Sequence, residues 1–221
     1  MGLKSSPHPA FPSGRPVEIG RRFLIVPEGT PSPGPPQEPD GRITIHLARG
    51  KAFGSGLHET TVSCLEALEN LILQENLTVL DLGTGTGILT IAALLLGARN
   101  AVAIDIDVEA AKNCSRNAAL NRLRDRVMVV HGTLDALDPY TGFDLVLANI
   151  HGDIILERAQ RLVAHTRERG HLVLSGLDYS DNRPAKRAML RQGMEKVSVQ
   201  FLGEYVTQVW RHHPNREPAK P

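Results

Sequence analysis

The run Asp81-Leu82-Gly83-Thr84-Gly85-Thr86-Gly87-Ile88 sets three glycines at alternate positions between an apolar strand-like stretch, 78–82, and an apolar helical one, 88–96. Glycine alone lets a backbone turn this sharply and lets a ligand lie against it. A tight strand-to-helix connection can use two glycines with no ligand at all, so the loop by itself is a weak signal. The dinucleotide pattern Gly-x-Gly-x-x-Gly puts its last glycine where a pyrophosphate meets the helix terminus. Here that position is Ile88, and the third glycine falls one residue early. The loop therefore suits a smaller nucleoside-bearing ligand better than a dinucleotide. Asp105 lies 22 residues beyond Gly83, inside the apolar run 101–106. That is close to the spacing at which a carboxylate accepts both hydroxyls of a ribose, and charge-assisted bonds to a diol are strong and directional. Asp107, two residues on, has the simpler reading of a helix N-cap. Asn149 sits near the end of the apolar run 145–150, where ligands of open α/β sheets collect. An Asn at such a place is also an ordinary turn former.

Residues at strand ends need a sheet to bring them together, and the patterning from about His58 onward supplies one. Strand signals at 78–82, 101–106, 126–130, 143–148 and 171–175 alternate with helix signals at 59–73, 88–96, 108–121, 153–166 and 182–192. Such alternation predicts a parallel sheet with helices packed on it. The rhythm then breaks: 195–201 and 204–210 are β-rich runs joined by little more than Leu202-Gly203, which predicts a hairpin and one antiparallel strand. Ten of the fifteen prolines fall before Gly41, densest at 31–36, where fixed φ and missing N–H donors forbid helix and interior strand. Between them, 17–26 reads as a short strand pair and 42–47 as a strand. The chain thus divides into a proline-rich appendage with short strands at 1–50, a main α/β domain at 51–211 and a flexible tail at 212–221.

Composition narrows the partners. Lys and Arg number 25 against 24 Asp and Glu, for a net charge of +1, and the basic residues are dispersed. No strong nucleic-acid footprint follows. Cys64 and Cys114 have no CxxC spacing and fall in helical stretches, so buried free thiols in a reducing cytoplasm are expected rather than a disulfide. The nine histidines show no HExxH or paired spacing, and no metal is expected. Residues 1–16 lack an apolar leader, and no apolar stretch of about eighteen residues exists to span a bilayer.

Taken together, the glycine loop, Asp105, Asn149 and the terminal hairpin resemble the class I S-adenosylmethionine methyltransferases. The resemblance implies a doubly wound α/β fold whose seven strands run in the order 3-2-1-4-5-7-6 with one antiparallel member. The stretch Ala52-Phe53-Gly54-Ser55-Gly56-Leu57-His58-Glu59-Thr60-Thr61 narrows it. This stretch is similar to the segment that precedes the cofactor domain in the ribosomal protein L11 methyltransferase family, where it folds over the cofactor. An ordinary strand-to-helix linker is the plain alternative. The likeness covers 42–210. It implies S-adenosylmethionine as cofactor, contacts from Thr61, Gly83, Asp105 and Asn149, and plausible additions at Asp81 and Gly85. It also implies a protein substrate, possibly ribosomal, methylated on an amine nitrogen of a lysine side chain or amino terminus.

No catalytic base is assigned. Only about one lysine in 2,500 is neutral at pH 7, a penalty of roughly 4.6 kcal/mol. Desolvation beside a positive sulfonium would lower that pKa, and water could take the proton. Family members carry a longer amino-terminal domain that recognises the ribosomal substrate, whereas about forty proline-rich residues stand there in this chain. His58 matches a histidine position of the segment or caps the helix after it. His151 tunes substrate choice or is an exposed loop residue. Two other functions stay open. One is methylation of a small molecule or nucleic-acid base, although Asn149-Ile150-His151-Gly152 is not the Asn-Pro-Pro-aromatic run of base-amino methylating enzymes. The other is a non-catalytic protein that binds the cofactor.

Overall fold

The structure, a computed structural model, describes residues 15–30, 41–48, 58–71, 76–139 and 141–213. The proline run 31–36 and most of the 52–61 stretch lie outside them. Three short strands come first: β1 (Val17–Ile19), β2 (Phe23–Pro27) and β3 (Ile43–Leu47). β1 and β2 pair antiparallel as the expected strand pair, and β3 adds to β2 in parallel.

Helix α1 (Glu59–Asn70) leads into the main sheet. Its elements are β4 (Thr78–Leu82), α2 (Ile88–Leu95), β5 (Asn100–Asp105), α3 (Val108–Leu120), β6 (Val127–His131), β7 (Phe143–Asn149), α4 (Gly152–Ala164), β8 (Thr166–Asp178), α5 (Asn182–Arg191), β9 (Met194–Leu202) and β10 (Tyr205–His212). The sheet order is β6-β5-β4-β7-β8-β10-β9. Numbered among themselves, the seven strands run 3-2-1-4-5-7-6, as expected. β10 is antiparallel to both neighbours. Gly203, at φ +56, turns the two-residue connection that makes the hairpin possible.

β4 and β7 are buried on both faces, which is why they read as continuous apolar runs rather than alternating ones. One core lies between the sheet and α1 with α2, the other between the sheet and α4 with α5. Ile19, Phe23, Ile25, Ile43, Ile45 and Leu47 of the small sheet belong to the first core. Side chains dock that sheet as well. Glu69 of α1 accepts from the Arg21 and Arg22 amides at 3.1 and 2.8 Å, and Asn121 pairs with both the N–H and C=O of His46. Among the described residues no helix is long and apolar enough to cross a membrane.

Several boundaries differ from expectation. The strand expected at 101–106 ends at Asp105, because Ile106 turns outward and is 72% exposed. α4 stops before Thr166, whose hydroxyl donates back to Leu162 O at 2.8 Å while its backbone opens β8. His212, expected in the tail, still belongs to β10. α1 ends at Asn70, and residues 72–75 of its expected continuation are outside the described ones.

Candidate ligand site

The carboxyl ends of β4, β5 and β7 lie side by side, since Leu82 pairs with Ile104 and with Ala148. The glycine loop leaves β4 with Gly83, Gly85 and Gly87 at φ +71, +57 and +80, the left-handed region that side chains resist. Space demands glycine too. A Cβ on Gly83 would lie 2.2 Å from Ile150 Cγ2, and one on Gly87 2.7 Å from Cys114 Sγ. α2, apolar apart from Thr90, follows the loop into the core.

Beneath the loop sits Asp81, 1% exposed, with Oδ2 accepting from the hydroxyls of Thr84 at 2.8 Å and Thr90 at 2.7 Å. Burial pushes its pKa up, and the two hydroxyls pull the other way. Asp81 thus ties the loop to the first turn of α2. Above it, Asp105 ends β5 half-buried, with Oδ2 accepting from Gly85 N at 2.8 Å and Oδ1 from Asp107 N at 2.9 Å. A carboxylate has about four lone-pair positions, so each oxygen keeps capacity for one more donor. Asp107 caps α3, accepting from Glu109 N at 2.9 Å.

Asn149 closes β7 and is 9% exposed, yet its Oδ1 is buried without a hydrogen-bond partner. Thr61, in the first turn of α1, is 1% exposed and its Oγ1 is likewise unpartnered. Buried polar atoms left unpaired cost about 1–3 kcal/mol each and are rare. His58 caps α1, with Nδ1 accepting from Thr60 N at 3.3 Å, and its ring tilts against Tyr205 at 5.0 Å. His151 is exposed and makes no cap bond to α4.

Motif reading missed several supports. Asn117 of α3 holds the loop from outside, donating to Thr86 O at 2.8 Å while accepting from Ala48 N at 2.7 Å, and so joins the small sheet to the glycine turn. Thr90 was hidden among the apolar residues of α2. Its only signal in the sequence is a single hydroxyl residue in an otherwise apolar run, and it is fully buried in the fold.

The sheet order is that of the class I methyltransferases, and the fold recurs in a putative S-adenosylmethionine-dependent methyltransferase from Streptococcus mutans. That likeness has a TM-score of 0.60 at 13% identity, over 71% of this chain and 50% of the other, and speaks for the fold alone. Closer matches go further. Residues 13–212 match the family of ribosomal protein L11 methyltransferases (PrmA), and the chain belongs to that family. The ribosomal protein L11 methyltransferase of Pelobacter propionicus is 40% identical over 201 residues, which is 89% of this chain and 63% of that protein. The chain thus spans about three fifths of the length of such relatives. The crystal structure of a ribosomal protein L11 methylase from Lactobacillus delbrueckii subsp. bulgaricus has a TM-score of 0.78 and 31% identity, covering 90% of this chain and 99% of that one.

Proposed function

We propose that the chain is an S-adenosylmethionine-dependent methyltransferase that modifies an amine nitrogen of a protein, with a ribosomal protein as the first candidate. The observation that carries this reading is a set of three incompletely satisfied acceptors: the carboxylate that ends β5, the amide oxygen that ends β7, and the hydroxyl in the first turn of α1, whose neighbour Thr60 lies against Ser175 beside Asn149. Asp105 retains room for a diol, and Thr61 Oγ1 and Asn149 Oδ1 are buried without partners. These fit a ligand with a ribose at one end and polar groups at the other. Gly83, half-buried where the turn begins, and Gly85, whose N–H holds Asp105 Oδ2, shape the turn against which such a ligand would lie.

When bound, S-adenosylmethionine supplies a methyl group on a positive sulfonium that needs no further activation. The chain's own residues then hold and orient. Asp105 binds the ribose hydroxyls, Thr61 and Asn149 address the polar remainder, and Asp81 acts through Thr84 and Thr90 by keeping the loop in place. Their contribution is positioning and exclusion of water rather than proton transfer. A lysine acceptor loses its proton to water once the entrance desolvates it.

Methyl-labelled cofactor incubated with the protein and a cell extract tests this function. Label in a polypeptide, stable to base and recovered as methylated amine, is expected. Label in RNA or in a small molecule would move the assignment to another acceptor. Binding of S-adenosylhomocysteine without any transfer would leave a cofactor-binding protein that is not an enzyme.

A further inference from the structure

β8 and β10 do not pair evenly. Val206 faces Leu177 and Gln208 faces Leu174, so Thr207 alone opposes both Ser175 and Gly176. This bulge lies one strand away from Asn149, which pairs with Ser175. Gly176 takes φ +81, and a Cβ there would stand 2.2 Å from Ile150 O. Only glycine therefore lets the chain after Asn149 lie against β8, where Ile150 N donates to Ser175 O at 3.2 Å. Ile150 in turn packs its side chain on Gly83.

The other side of the bulge faces α1. Thr207 Oγ1 is 2.6 Å from Ser63 Oγ and 2.6 Å from Ser175 Oγ, and all three hydroxyls are buried. Ser63 donates to Thr60 O at 3.2 Å. Each hydroxyl has one proton. Either hydroxyl can donate in each of the two short contacts, and both Ser63, at 3.2 Å, and Ser175, at 3.4 Å, can donate to Thr60 O. A chain of hydroxyls running from Thr60 O through Ser63 and Thr207 to Ser175 thus pins the first turn of α1, where Thr61 sits, to the strand beside Asn149.

The geometry points to Thr207 and the Ser175–Gly176 bulge as a positioning centre that sets Thr61 against Asn149, so that their two unpartnered oxygens address one ligand. This inference rests on the cofactor reading of the site and adds how its two halves are held in register. Bulges recur beside active sites because they re-aim side chains, and a buried, satisfied hydroxyl network fixes one arrangement. None of these residues touches the ligand in this account. They act through Thr61, Asn149 and Ile150.

Thr207→Val keeps the shape and removes both short bonds, and Thr207→Ser keeps the hydroxyl. In ligand-free protein, Thr207→Val should speed hydrogen exchange of the Ile150 amide at least tenfold while leaving Leu80 of β4 unchanged. It should also weaken S-adenosylhomocysteine binding at least tenfold by calorimetry at a temperature where circular dichroism shows a native fold. Thr207→Ser should restore both to within about threefold. If Thr207→Val does not fold, Ser175→Ala, which removes the other end of one short bond, is measured in the same way. A lowered melting temperature with Ile150 exchange and ligand affinity within twofold of wild type would make the network merely structural and overturn the inference. If wild-type protein binds no S-adenosylhomocysteine, the cofactor reading fails, and Ile150 exchange with its serine rescue decides the coupling alone.

Discussion

Asp81, Asp105 and Asp107 carry the same carboxylate within a few ångströms of one turn, and their surroundings give them three different tasks. Asp105 has two backbone donors and room for two more, so Asp105→Ala should weaken S-adenosylhomocysteine binding by about 2–4 kcal/mol. Asp107→Ala should remove only the α3 cap, about 1 kcal/mol of stability, with affinity nearly intact. Calorimetry on both variants decides it, and equal losses of affinity would remove Asp105 from the ribose. The thiols make a second residue-scale case. Burial pushes Cys64 and Cys114 each up to about 12, and both are free. Native protein at pH 8 should resist iodoacetamide at both positions and react at both in guanidinium chloride. Rapid native labelling of either would contradict the packing described around the glycine loop and α1.

At the scale of elements, the end of the sheet remote from the site is held by a charged clamp. Asp144 of β7 accepts from Thr78 N and Thr78 Oγ1 of β4, both at 2.8 Å, and from Arg167 Nη1 of β8 at 2.8 Å. Burial alone would raise its pKa, but these donors outweigh burial and hold it below the ordinary value. A carboxyl lowered on folding adds stability that is complete above its unfolded pKa, about 3.9, and is lost as pH falls through the lower folded value. Asp144→Asn should therefore cost stability at neutral pH and flatten the acid limb below about pH 4 in urea titrations. An unchanged acid limb would show that the clamp contributes nothing to the pH dependence. Because β4 and β7 carry the loop and Asn149 at their other ends, the same variant reports whether register at one end matters for ligand affinity at the other.

For the whole molecule, the open matter is how the site closes. Residues 53–57 lie outside the described residues, while Thr61 is anchored through α1. If 53–61 folds over bound cofactor, S-adenosylhomocysteine should protect those amides from hydrogen exchange. Thr61→Val should then lose affinity while its melting temperature without ligand stays within a degree or two of wild type. Protection confined to 83–87 and Asp105, with normal binding by Thr61→Val, would reduce the segment to a linker.

Local requirements were legible in the chain because they are local. Three left-handed turns need glycine wherever they occur, an acid immediately before a helix caps it, and alternating strand and helix periods announce a wound sheet. The seven-strand order came from the resemblance, and the structure bears it out. Other features required coordinates, since they join residues far apart in sequence through the register of the sheet. Asp81 and Asp105 both follow apolar runs, and only packing distinguishes the carboxylate sealed under two threonines from the one left half-open. Ser63, Ser175 and Thr207 are unremarkable as letters, yet they meet because one antiparallel strand enters beside β8 and slips by a residue at Gly176. Asn117 reads as a polar position on an amphipathic helix until the small sheet docks on it. Which buried oxygens find partners, and which do not, depends on that assembly and on no single stretch of the chain.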